Sequence, residues 1–312
     1  MDFGKLPDIT GIDHTLPPDA PENATVLPGT PHPNPGIYIG CPSWNHPEWM
    51  GKVYAVGKKS REFLPEYTHQ FNAIEVNATA YNLPTEAKIA SWAGAATPGF
   101  KFSIKFPQSL THYGSPAGKE GLVDTFLERV APLGDHLGPP ILQFADRFGP
   151  KWGSALHDLL RYYRGPQPLA LELRHEDWFV GEGRAWFDWL AQLGHIAIIT
   201  DTSGRRDVCH TRLTTPRALI RFNGNNRHPT DYARLDAWAE RIAAWLAQGL
   251  EEVYFFVHTL PKEFCPELCA YFAQALAQRI GRPLPTWQPV ATGPVVAATL
   301  PAATSRTRKP KA

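Results

Sequence analysis

Cysteine is scarce in this chain: Cys41, Cys209, Cys265 and Cys269 are the four among 312 residues. So few thiols cannot staple a chain of this length, which excludes a disulfide scaffold and points to a reducing cytoplasm. Long hydrophobic runs are missing as well. The longest are strand-sized, well short of the ~20 residues a membrane-spanning helix needs, so no membrane partner is expected. The opening Met1-Asp-Phe-Gly-Lys-Leu-Pro7 lacks the apolar run and small-residue cleavage site of a secretory signal. Neither sign of charge dominates, with Lys plus Arg at 31 against 30 Asp plus Glu. No net field therefore steers the chain towards nucleic acid, and such a role would need a local basic patch. Several chemical signatures are also lacking: no GxxxxGK[ST] phosphate loop, no GxSxG elbow and no HExxH pair. Cys265 and Cys269 stand four apart without a second pair of ligands, and nothing beside Cys41 marks it as an activated nucleophile.

Proline, by contrast, is abundant at 31 residues and concentrates at the two ends. Residues 1–35 hold eight prolines and little periodic apolar pattern. Such a segment buries too little surface to offset its ordering entropy, so it is expected as a mobile arm. Residues 282–312, closing on Arg306-Thr-Arg308-Lys309-Pro-Lys311, are expected as a flexible basic tail. Between them, residues 36–281 form the expected domain.

That domain repeats a beat of short apolar runs and longer helical stretches. Strands are expected at Ile37–Cys41, Ala73–Val76, Lys101–Phe106, Ile141–Phe144, Leu169–Leu173, Ile196–Thr200, Ala218–Phe222 and Val253–His258. Continuous rather than alternating hydrophobicity suits strands covered on both faces, as in a parallel sheet. Leu235, Trp238, Ile242 and Trp245 share one helix stripe, as do Trp186, Trp189, Leu190 and Leu193, and Trp152, Leu156, Leu159 and Tyr163. Eight such units fit an α/β fold of the TIM type, a (β/α)₈ barrel of about 250 residues. The rival open doubly wound sheet would carry a glycine-rich phosphate turn after its first strand. Here that strand runs into Gly40-Cys41-Pro42-Ser43-Trp44 instead.

Function is expected where the runs end. Alternation along a strand places Glu75 with Asn77, Glu172 with Arg174, and Arg221 with Asn223, each on the face opposite its apolar neighbours. A charge turned to the dry helix layer is costly, so this polar set should point into the barrel near its carboxyl-terminal rim, where barrel enzymes keep their catalytic groups. The same reasoning adds Lys105, Gln143, Asp201 and His258. One reading is a plug of mutually satisfied ion pairs. The other is a pocket for a polar, anionic small molecule, with Glu75, Lys105, Glu172 and Asp201 as catalytic groups and Arg174 and Arg221 as an anion clamp. His46, His112, His175, His210 and His258 fall in or beside the strand-end loops. With the acids they make up a ligand set for a divalent metal, but no close-spaced pattern favours one, and the sequence names no cofactor. Rings on the same loops (Trp44, Trp49, Tyr54, Tyr81, Tyr113, Trp178) either stack on a ligand or pack in the core. The polar loops Asp146–Gly149 and Asn223–His228 have the composition of segments that close over a ligand.

These residues also resemble a known family. Gly40-Cys41-Pro42-Ser43-Trp44 with Trp49-Met-Gly51 and Tyr54, then Phe71-Asn-Ala-Ile-Glu75-Val-Asn77 with Tyr81, is similar to the opening of domain of unknown function 72, the YecE-like family. Phe102-Ser-Ile-Lys105-Phe-Pro107 with Thr111-His112, Leu171-Glu172-Leu173-Arg174-His175 with Trp178, the Asp201 strand end, and Arg221-Phe-Asn223-Gly224 continue it over about residues 36–281. The resemblance implies a TIM barrel and little chemistry, because the family's activity is not established. Many members end the last strand in paired asparagines, where this chain has Val257-His258-Thr259. A hydrolase or isomerase acting by acid/base chemistry on a phosphorylated or sugar-like substrate is one expectation. A protein that binds or processes nucleic acid, and a non-catalytic scaffold, are the alternatives.

Overall fold

The eight apolar runs form eight parallel strands: β1 (Gly36–Cys41), β2 (Ala73–Val76), β3 (Lys101–Ile104), β4 (Ile141–Gln143), β5 (Ala170–Glu172), β6 (Ile196–Asp201), β7 (Arg217–Asn223) and β8 (Glu252–His258). This computed structural model describes residues 3–285. The strands hydrogen-bond in the order β3-β2-β1-β8-β7-β6-β5-β4, and the bridges Phe102–Leu137 and Lys105–Ile141 bring the two ends together into a TIM-type barrel. Each expected strand is present, with no end displaced by more than two residues.

Strand alternation sorts side chains into two apolar clusters. The smaller fills the barrel and includes Ala73, Ile141, Ile198, Leu219 and Phe256, with Tyr38 stacked on Tyr254. The larger lies between strands and helices. Helices Ser60–Gln70, Glu86–Ala93, Glu120–Val130, Gly153–Tyr162, Trp186–Leu193, Pro229–Ala247 and Cys265–Ile280 form the outer ring. The expected stripe Leu235, Trp238, Ile242 and Trp245 is fully buried. Gly40 is required where β1 meets β2, since a Cβ there would stand 1.9 Å from the Ala73 carbonyl oxygen. Among the described residues no helix is long and apolar enough to cross a membrane.

The regular alternation fails in one place. Between β6 and β7, residues 202–216 contain the short 3₁₀ turn Arg206–Val208 and no α-helix. The proline-rich segment before β1 covers this stretch, which revises the expectation of a mobile arm for residues 3–35. The buried Asn23 side chain donates to Thr211 O (2.9 Å) and accepts from Leu213 N (2.8 Å). Thr211 Oγ1 donates to Pro18 O, and Asp19 accepts from both Arg241 and Trp245 Nε1. Leu16 and Leu27 are buried in the outer cluster. Composition suggested disorder because it counts apolar residues. Here polar side chains satisfy backbone groups, and proline lowers the entropy that ordering must overcome. Of the expected basic tail, residues 286–312 lie outside the described residues.

Candidate active site

Inside the barrel, the register that sets Arg221 beside Thr200 and Phe256, Gln143 beside Glu172, and Glu75 beside Ser103 stacks polar side chains above the apolar filling. Arg221 is the hub. Its Nε and Nη2 donate to the two oxygens of Glu75 (3.0 and 2.7 Å), and its Nη1 donates to Glu172 Oε2 (2.5 Å). Arg174, one pleat above Glu172, donates from Nε to its other oxygen at 2.7 Å. Lys105 Nζ donates to Gln143 Oε1 at 2.8 Å. Asn77 Nδ2 donates to Glu75 Oε1 at 2.7 Å, and His258 Nε2 lies 3.0 Å from Glu75 Oε2. Glu75, Glu172 and Arg221 are each at most 1% exposed.

Burial and charge compete at each of these groups. Burial alone would raise the Glu75 carboxyl, but the charge of Arg221 and the hydrogen bonds from Arg221 and His258 outweigh it and hold the group well below the usual carboxylate range. Glu172 follows the same balance, with Arg174 and Arg221 bringing it down to about 2. Lys105 is pushed down to about 8, first by burial and then by the like charge of Arg221. Burial also lowers His258, against the pull of Glu75, and so favours the neutral ring. A carboxylate only accepts, so a neutral ring must give Glu75 its Nε2 proton, leaving the lone pair on Nδ1. That nitrogen has no hydrogen-bond partner among the described residues.

A cavity of about 440 Å³ opens above one side of this layer. His258, Asn77 and Asn223 line it, with Tyr81 (81% exposed) at its rim. Asn77 Oδ1 is buried there with no partner. The remaining expected site residues are dispersed. Asp201 points the wrong way: it pairs in register with Phe222, so alternation turns it outward. There Arg234 (2.9 Å), Arg206 and Trp238 Nε1 (2.8 Å) compensate its buried charge, while Thr200 takes the inward position. His112 sits near Lys105, Arg174 and Arg147, and burial followed by those charges brings it down to about 4. His175 accepts from Asp177 N in its own turn, and Trp44 lies edge-on to Trp92 in the outer layer. Trp49, Tyr54 and Trp178 are core residues. Arg174 and Arg221 are engaged with carboxylates and do not clamp from the cavity wall. No three His, Cys, Asp or Glu side chains gather as a metal site among the described residues. His210 turns to Ile198 O and His46 to Glu48. The sequence reading missed Phe3, Gly4, Lys5 and Lys262, which also line the cavity. The segment carrying the first three had no periodicity to mark it.

The family model described as protein of unknown function DUF72 matches residues 38–291. The chain belongs to the DUF72 family. UPF0759 protein YecE of Escherichia coli strain K12 is 31% identical over 252 residues, which are 74% of this chain and 89% of that protein. UPF0759 protein YunF of Bacillus subtilis strain 168 is 26% identical over 157 residues, 46% of this chain and 52% of YunF. Among solved structures, a DUF72 family protein of Enterococcus faecalis aligns with TM-score 0.62 at 19% identity, covering 78% of this chain and 99% of that one. Another, of Thermotoga maritima, gives 0.52 at 22%, covering 79% and 97%. These likenesses show that the DUF72 barrel is shared.

Proposed function

We propose that this DUF72 barrel is an enzyme that works by acid/base chemistry on a small, polar, anionic substrate, phosphorylated or sugar-like, with His258 as the proton carrier. The observation that carries this reading is the His258–Glu75 pair. A buried carboxylate, pinned on both oxygens by Arg221, fixes the tautomer of a neutral imidazole that lines a ligand-sized cavity. The base is therefore His258, and Glu75 and Glu172 are positioning residues, because both are fully buried and occupied by arginine. Hydrolysis and isomerisation both begin with a proton transfer of this kind.

A thermal-shift screen of sugars, sugar phosphates and nucleotides, run with and without Mg²⁺, Mn²⁺ and Zn²⁺, should find ligands that stabilise the chain. For a hit that is turned over, H258N should lower kcat by about 10²–10⁴-fold with a small change in KM. Equal turnover by H258N would remove the assignment. A second reading, a structural polar layer without catalysis, is favoured by the mutual pairing of Arg221, Glu75 and Glu172. It predicts that no compound in the screen stabilises the chain.

A further inference from the structure

Arg221 and Arg174 are occupied by carboxylates, so the permanent cations on the cavity wall are Lys262, on the loop after β8, and Lys5, on the segment ahead of the barrel. Neither ammonium group forms an ion pair among the described residues. The exposed Lys5 follows a backbone that specific contacts hold in place. The carbonyl of Gly4 accepts from Gly204 N (2.7 Å) and Thr202 Oγ1 (2.9 Å). Gly4 itself has φ +67°, and a Cβ there would stand 2.3 Å from Thr202 Cγ2, so only glycine fits. One residue earlier, the Phe3 ring lies 4.1 Å from the Arg174 guanidinium carbon and 5.3 Å from that of Arg205.

We propose that residues 3–5 form a wall of the binding site, and that Lys5 and Lys262 together take a phosphate monoester group on the ligand. This rests on the reading of the mouth as a ligand site. Three features select phosphate. Ammonium groups act as point charges suited to a tetrahedral anion, whereas the planar forks that recognise carboxylates are already engaged. The cavity is bounded by the loops after β7 and β8, the place where barrels of this type commonly hold a phosphate. His258 lies in the same wall, so an anchored phosphate would leave the rest of the ligand near its lone pair.

The test is isothermal titration of the full chain with inorganic phosphate and with glucose 6-phosphate at constant ionic strength, with glucose as the uncharged comparison. K5M, K262M, the double variant and a chain lacking residues 2–5 are compared with the wild type. K88M, on the helix Glu86–Ala93, controls for loss of one surface charge, and melting curves confirm that each variant is folded. Each single change should weaken phosphate binding about tenfold, the double change more, and K88M not at all. Phosphate binding by K5M equal to that of the wild type overturns the proposal, as does tighter binding by the shortened chain, which would make the segment a plug. Absence of phosphate binding in the wild type overturns it too. Loss of turnover in H258N is read separately on any hit, phosphorylated or not, so the base assignment can stand while the phosphate assignment falls.

Discussion

Arg221 holds two carboxylates that are buried with it, and the energetics of the polar layer turn on that one guanidinium. Removing it as R221A leaves Glu75 and Glu172 buried without their shared partner. Chemical denaturation should show a loss of about 3–5 kcal/mol, or failure to fold. A volume-matched apolar set replacing all three charges would cost less, because it leaves no charge uncompensated. Acid should act on the same groups. Glu172 is lowered from 4.5 to about 2, so the stability it contributes is complete above pH 4.5 and is lost as pH falls through about 2. The amount is on the order of 3 kcal/mol. Glu75 shifts in the same direction. Urea midpoints between pH 2 and 6 should therefore fall steeply in the wild type and less steeply in E172Q, which retains the Glu75 share. Lys105 acts at the other end: its pKa is depressed, so the unfolded chain binds the extra proton, and stability should rise from pH 8 towards 10.5.

The element that departs from the regular barrel is the β6–β7 connection, and the segment before β1 takes over the covering role of the missing helix. Its attachment combines the buried Leu16 and Leu27 with polar side chains matched to backbone groups. In N23A, the Thr211 carbonyl and the Leu213 amide lose a buried partner, which should cost about 1–3 kcal/mol. Amide exchange at Leu213 should quicken while exchange in β1 and β8 stays slow. Gly4→Ala tests the tip alone. The left-handed backbone and the contact with Thr202 would cost about 1–3 kcal/mol of docking. Limited proteolysis should then cut near residue 5 without lowering the melting temperature of the barrel. Unchanged cleavage would mean that the tip is held by contacts other than these.

At the scale of the whole molecule, a formal charge of +1 leaves little electrostatic drive towards a polyanion. Retention on immobilised duplex or single-stranded DNA should be weak at 50 mM salt. A steep salt slope would instead favour the nucleic-acid alternative. The sequence by itself determined the barrel and most of its polar layer. Eight apolar runs of strand length fix eight parallel strands, and period-two alternation assigns Glu75, Glu172 and Arg221 to the inside, because both are local properties of the chain. Alternation puts Asp201 on the face opposite Thr200, but β6 is apolar on both faces, and only its pairing with Phe222 on β7 makes the Asp201 face the outer one. Three matters were decided by tertiary structure alone. Which charges pair with each other depends on strands far apart in sequence, so the sequence leaves Arg174 and Arg221 open as a clamp and the fold gives them Glu172 and Glu75 as partners. Burial of Trp49, Tyr54 and Trp178 depends on what packs over their loops. The docking of residues 3–35 rests on single side chains matched to distant backbone groups, and such long-range matches leave no period in the sequence.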